Sequence, residues 1–153
     1  MAAVVHAKKT MEELCLENGY AIESYTVLTP DDYVLSLYRI PGTVNEIGTE
    51  VKKPAVLMVH GLDADSMQWV GNLDPAKTNA FILSNAGYDV WMGNNRGTPH
   101  CNTHLTLSSK DKAYWDYYQM ELGTLDVPTF IDFVLEKTAL ETLSYVGHSQ
   151  GTT

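Results

Sequence analysis

A serine framed by two glycines, Gly147-His148-Ser149-Gln150-Gly151, stands at the end of the sequence, followed by Thr152-Thr153. A serine hydroxyl at its ordinary acidity is a poor nucleophile. The G-x-S-x-G spacing answers half of that problem, because it sets the serine on a sharp strand-to-helix turn with Oγ clear of the sheet. Both glycines are needed there, since a side chain at either position would collide with a neighbouring strand or helix. The chemistry this spacing serves is attack on an acyl carbonyl, with Ser149 as nucleophile. The oxyanion that forms must be met by backbone N–H groups. Gln150, the residue after the serine, presents one. His60-Gly61-Leu62 follows an apolar run and presents the other through the Leu62 N–H, with Gly61 admitting a close backbone approach.

The base is the open question. There are five histidines, His6, His60, His100, His104 and His148. His148 adjoins Ser149, but adjacent side chains at an elbow diverge, so it is expected to pack beside the site. His60, Asp126 and Ser149 follow the His, Asp, Ser order of chymotrypsin-like proteases. That fold is all-β, and the helices expected here exclude it. In the order Ser, acid, His that accompanies a strand–elbow–helix, both partners would lie beyond Thr153. The expectation is therefore a truncated chain that holds a nucleophile without its acid and histidine and is inactive alone.

The elements that must position these groups are legible as runs. Met11 to Leu16 is compatible with a short helix stopped near Asn18-Gly19. Ala21 to Leu28 and Tyr33 to Ile40 read as strands joined through the turn cluster Thr29-Pro30-Asp31-Asp32. Ala55 to Val59 has the length and continuous apolarity of a buried strand, and Tyr88 to Met92 reads as a second buried strand. Between them, Thr78 to Asn85 reads as a helix ended by Gly87. From Glu121 to Lys137, Leu122, Leu125, Phe130, Phe133 and Val134 fall at helical spacings, and Pro128 either starts the regular part of that helix or kinks it. Leu143 to Val146 is a third short strand running into the elbow. Strands alternating with helices imply an α/β fold with a mostly parallel sheet, to which the N-terminal hairpin adds an antiparallel edge.

Bulk properties narrow the function. The chain has 153 residues, 44% of them hydrophobic, enough for a buried core. Its formal charge of −9 argues against nucleic acid as a partner, since phosphate binding requires clustered Lys and Arg. Cys15 and Cys101 are two isolated cysteines with no metal-ligand spacing, and neither a metal nor a cofactor is expected. No apolar run reaches membrane-spanning length, and Met1 to Lys9 lacks the basic and apolar segments of a signal peptide.

Together these motifs resemble the acid lipase family, the gastric and lysosomal type of α/β-hydrolase that acts on triacylglycerols and cholesteryl esters. Asp32-Tyr33-Val34-Leu35 through Pro41 is close to that family's N-terminal D-G-Y-I-L pattern. His60-Gly61-Leu62 with Ala64-Asp65-Ser66 and Trp69-Val70 is similar to its oxyanion loop. The most distinctive match is Asn85-Ala86-Gly87-Tyr88-Asp89-Val90-Trp91-Met92-Gly93-Asn94 with Arg96-Gly97. Asp126-Val127-Pro128 and Tyr145 through Thr153 complete it. Asn95 departs from the family's usual Ser, and Met120 and Leu125 from its usual Asp and Tyr.

The resemblance implies an incomplete α/β-hydrolase fold, with a tail at 1–10, a lipase-associated region at 11–70 and a hydrolase core at 71–153. It implies Ser149 as nucleophile and the Leu62 and Gln150 N–H groups as the oxyanion hole. The expected partner is a lipid ester, an acylglycerol or sterol ester, at a lipid–water interface, and the family's compartment is secretory or lysosomal. The alternatives are a non-catalytic remnant and another α/β-hydrolase activity, such as thioesterase, acyltransferase or peptidase.

Overall fold

Strand β3 (Ala55–Val59) is buried at every position and lies inside the sheet, between two parallel neighbours, in the computed structural model, which describes residues 9–48 and 51–152. His6, Thr153 and almost all of the expected tail lie outside the described residues. The sheet runs β1 (Glu23–Leu28), β2 (Tyr33–Ile40), β4 (Asp89–Asn94), β3, β6 (Ser144–Gly147), and β5 (Thr103–His104) pairs with β2 off this path. β3 pairs parallel with β4 and β6, while β2 pairs antiparallel with β1, β4 and β5. It is a mixed sheet, parallel in the part that carries the elbow and antiparallel in the part built on the hairpin.

Alternation along the buried strands sends successive side chains to opposite faces. Val56, Met58, Val90 and Met92 face a cluster closed by helix α1 (Met11–Glu17), helix α2 (Asn79–Asn85) and Trp69. Ala55, Leu57, Val59 and Trp91 face the other cluster, closed by Tyr33, Tyr114, Phe130 and Val134. Covering both faces explains why β3 reads as an uninterrupted apolar run; in β4 the apolar run is confined to Val90, Trp91 and Met92. Helix α1 begins with a capping box, in which Thr10 and Glu13 satisfy each other's backbone N–H. It ends where Gly19 adopts φ +83°.

Arg39 locks the antiparallel part to the parallel part. In register it lies across from Glu23 on one side and Trp91 on the other. Its guanidinium makes a two-pronged contact with the buried Asp89, at 2.8 and 3.0 Å, and reaches Glu23 at 3.0 Å. The Trp91 Nε1–H donates to the same Asp89 carboxylate at 3.0 Å.

Residues 119–138 form one continuous helical run in three parts: α3 (Gln119–Glu121), a π-helical turn (Leu122–Asp126) and α4 (Val127–Thr138). Pro128 is the second residue of α4. The regular helix thus starts next to the proline, and the widened π turn ends just before it, as expected where a residue without an N–H interrupts the helical ladder. Phe130 from α4 packs onto β4 at Gly93, where an ideal Cβ would stand 2.8 Å from two ring carbons. Gly93→Ala is expected to lower unfolding free energy by about 1–3 kcal/mol through overpacking. In urea denaturation, pairing it with Phe130→Leu should cost less than the sum of the single changes; full additivity would show that this contact is not what requires the glycine.

Candidate active site

Strand β6 delivers the chain to the elbow. His148 N–H donates to Val59 O at 3.1 Å, and Gly151 N–H donates to His148 O at 2.9 Å, closing a short 3₁₀ turn over Ser149–Thr152. Ser149 sits at φ +51°, a left-handed conformation costing roughly 1–2 kcal/mol for a residue with a Cβ. The glycines are enforced by backbone contacts. A Cβ on Gly147 would lie 2.2 Å from Gly151 O, and one on Gly151 would lie 2.4 Å from Val59 O and 2.8 Å from His60 O. Tyr145 Oη donates to Gly151 O at 2.6 Å and ties the turn back to its strand. Ser149 is exposed, and among the described residues its hydroxyl makes no hydrogen bond.

Facing the elbow is the loop after β3. His60 is buried there, its Nδ1 paired with Gly61 O at 2.8 Å and its Nε2 accepting the Asn95 N–H at 3.1 Å. These partners require the neutral tautomer with the proton on Nδ1, and burial pushes the ring's pKa down. Gly61 lies against the elbow: an ideal Cβ would be 2.8 Å from His148 Nδ1 and 3.2 Å from Ser149 Cβ. Leu62 and Gln150 line one cleft of about 410 Å³, shared with Asn95, Trp115, Tyr117 and Leu122. The loop and the turn that carry the three predicted site residues are thus neighbours. A larger cavity of about 680 Å³ lies at the other end of the parallel strands, beside Arg39, Lys53 and Asp89. Open α/β sheets bind ligands at the carboxyl ends of their strands, which is the end of the smaller cleft.

The His60, Asp126, Ser149 grouping does not assemble. Both ring nitrogens of His60 are committed within the loops, and Asp126 belongs to a different partner, Arg96. That side chain is fully buried, with Nε donating to Asp126 Oδ1 at 2.8 Å and the Arg96 backbone N–H to Oδ2 at 2.9 Å. Its other two nitrogens reach Asp31 at 2.6 and 2.9 Å, and the guanidinium lies 3.8 Å from the Tyr33 ring centroid. This network was not anticipated from the residues, although a signal for it exists. Leu122, Asp126, Phe130 and Val134 are spaced by four, and all are buried, so a carboxylate within an apolar helical stripe demands a buried cation.

The neighbouring Asn94 is also committed, accepting the Ser66 N–H at 2.8 Å and donating to Ser36 Oγ at 3.1 Å. Cys15 and Cys101 are free and buried on opposite faces of the sheet. Among the described residues, no three His, Cys, Asp or Glu side chains gather as a metal site, and no helix is long and apolar enough to cross a membrane.

Comparison with known proteins agrees with this fold. A family model described as a partial α/β-hydrolase lipase region matches residues 11–73, and one described as the α/β hydrolase fold matches 54–153. Human lipase member K is 47% identical over 135 residues, covering 88% of this chain and 34% of the relative. A putative lysosomal acid lipase/cholesteryl ester hydrolase of Crotalus adamanteus is 45% identical, covering 94% of this chain and 36% of the relative. Gastric triacylglycerol lipase of Bos taurus is 42% identical, covering 88% and 34% respectively. The chain thus spans about a third of the length of these relatives. Among solved structures, the Pyrococcus furiosus esterase Pf2001 superposes with a TM-score of 0.61 at 16% identity, over 94% of this chain and 46% of that one. At that identity the likeness concerns the fold.

Two outcomes follow from the geometry. Gly151→Ala forces a Cβ into the backbone of β3 and is expected to cost about 3 kcal/mol or more; a loss below 1 kcal/mol in urea denaturation would contradict the close approach. Burial alone would raise the Asp31 carboxyl, but its hydrogen bonds from Arg96 and Thr29 outweigh this and hold its pKa below the ordinary value. A carboxylate with a lowered folded-state pKa contributes stability that is present above its unfolded pKa of about 3.9 and lost as pH falls through the lower one. Asp31→Asn should therefore show a shallower loss of stability between about pH 4 and pH 2 than the parent chain, and an identical slope would contradict the assignment.

Proposed function

We propose, for a chain that belongs to the acid lipase family of α/β-hydrolases, that it carries the nucleophile and oxyanion cradle of a serine-dependent hydrolase of lipid carboxylic esters. The observation that carries this reading is Ser149 at φ +51°, between two glycines that backbone contacts forbid to be anything larger. In the proposed reaction Ser149 Oγ bonds to the ester carbonyl carbon while its proton passes to a histidine. The carbonyl oxygen becomes an oxyanion, which accepts hydrogen bonds from the Leu62 and Gln150 N–H groups. Collapse breaks the ester C–O bond, the histidine returns the proton to the departing alcohol, and water then releases the fatty acid from the acylated serine. The substrates are acylglycerols or sterol esters met at a lipid–water interface, in a secretory or lysosomal setting.

A second reading, that these 153 residues do not turn over substrate alone, is favoured by one observation. Among the described residues the Ser149 hydroxyl contacts no base, because His60, in the facing loop, is held as a neutral structural link. A fluorophosphonate probe tests both readings. The chain is expected to be labelled slowly and only at Ser149, with the rate rising as imidazole is added as an external base, and Ser149→Ala should abolish labelling. Labelling elsewhere, or no response to imidazole, contradicts the nucleophile assignment; rapid labelling without imidazole contradicts the second reading.

A further inference from the structure

Three consecutive polar residues, Asn94, Asn95 and Arg96, are buried at the end of β4. Two of them are fully used. The Asn94 amide bridges Ser66 and Ser36, and the Arg96 guanidinium is divided between Asp126 and Asp31. The middle one is not. The Asn95 backbone N–H anchors the residue to His60 Nε2, yet its side-chain carbonyl, Oδ1, is buried with no hydrogen-bond partner among the described residues. The residue is only 3% exposed, and it lines the cleft that Leu62 and Gln150 also line.

Buried polar groups almost always have partners, and an orphan acceptor at a cleft calls for a donor that the protein itself does not supply. Apolar and aromatic groups, Leu62, Trp115, Tyr117 and Leu122, share the walls of that cleft. A ligand that satisfies both has a hydrocarbon part and a free hydroxyl.

Resting on the reading of this cleft as the ester site, we infer that Asn95 is a specificity-determining residue that selects esters of polyhydric alcohols, such as partial glycerides, by accepting a hydrogen bond from a free alcohol hydroxyl. The Asn amide torsion is broad and soft. Because Oδ1 holds no partner, turning it toward the cleft breaks no hydrogen bond of that atom. An ester of a hindered alcohol with no spare hydroxyl, a sterol ester for example, leaves the acceptor buried and unpaired. Sites built around a hydrogen bond discriminate most strongly against ligands that lack it.

Trp115 makes the test direct. It is the half-exposed tryptophan on the cleft wall, whereas Trp69 and Trp91 are buried, so a ligand entering the cleft changes its emission alone. In the Ser149→Ala chain, which prevents turnover, glycerol monobutyrate is expected to bind about two- to tenfold tighter than propyl butyrate, the span of one net hydrogen bond. Asn95→Ala should bring the two esters to parity, and Asn95→Asp, which keeps an acceptor in the same shape, should retain the preference. Circular dichroism confirms that each variant is folded. Equal binding of the two esters in the parent, or a preference that survives in Asn95→Ala, overturns the inference and leaves the hydrolase reading intact. Binding of neither ester overturns the reading of the cleft itself, and the inference with it.

Discussion

A guanidinium fully removed from water must be paid for by partners, and in this chain they come from two distant places. Arg96, just past the end of β4, is held by Asp126 from the π turn before α4 and by Asp31 from the turn between β1 and β2. Taking a charge into the interior costs several kcal/mol, and removing one partner of such a group typically costs 3–5 kcal/mol because the remainder is left unpaired. Such a network adds little net stability compared with an apolar core of the same shape. Its effect is on geometry: hairpin, sheet end and helix can meet in one arrangement only, the one that brings both carboxylates to the same cation.

That arrangement reaches the elbow through short steps. Arg96 fixes the residue before it, and the Asn95 N–H holds His60 Nε2. His60 in turn holds Gly61 O, the carbonyl that precedes the Leu62 N–H. On the other side, the elbow is pressed against β3 so closely that neither flanking glycine can carry a side chain. The strained turn that carries Ser149 and the loop that carries Leu62 are therefore fixed by different forces. Steric exclusion sets one; a chain of buried polar contacts beginning at a salt bridge sets the other. His60, which chain order alone could place in a triad, is instead the link in that polar chain between Asn95 and Gly61.

Much of this was legible in the residues where one physical signal dominates. β3 stands out because burial on both faces leaves an unbroken apolar run, and the elbow stands out because its glycines answer a steric demand local to five residues. β5 is two residues long and is defined only by its pairing with β2, so no local pattern could disclose it. The π turn is similar: helical periodicity over 121–137 predicts a helix but not where it widens ahead of Pro128. The Arg96 network needed the three-dimensional meeting of residues 31, 96 and 126, and only the carboxylate within the Leu122–Val134 stripe hinted at it. Asn95 is legible as a departure from a familiar pattern, but the freedom of its side chain emerges only from what its two neighbours bind.

Hydrogen exchange in an Asp126→Asn chain tests most directly whether the buried salt bridge positions the loop that carries Leu62. If it does, the Asn95 amide, protected by His60, should exchange at least about tenfold faster, while the amides of Val56, Leu57 and Met58 keep their protection, a local rather than global opening. An Asn95 amide as protected as in the parent chain, in a variant that has lost the Asp126 carboxylate, would contradict the central role given to Arg96. Uniform acceleration across β3 and the loop would contradict it equally, by showing that the salt bridge supports the fold as a whole and not the loop.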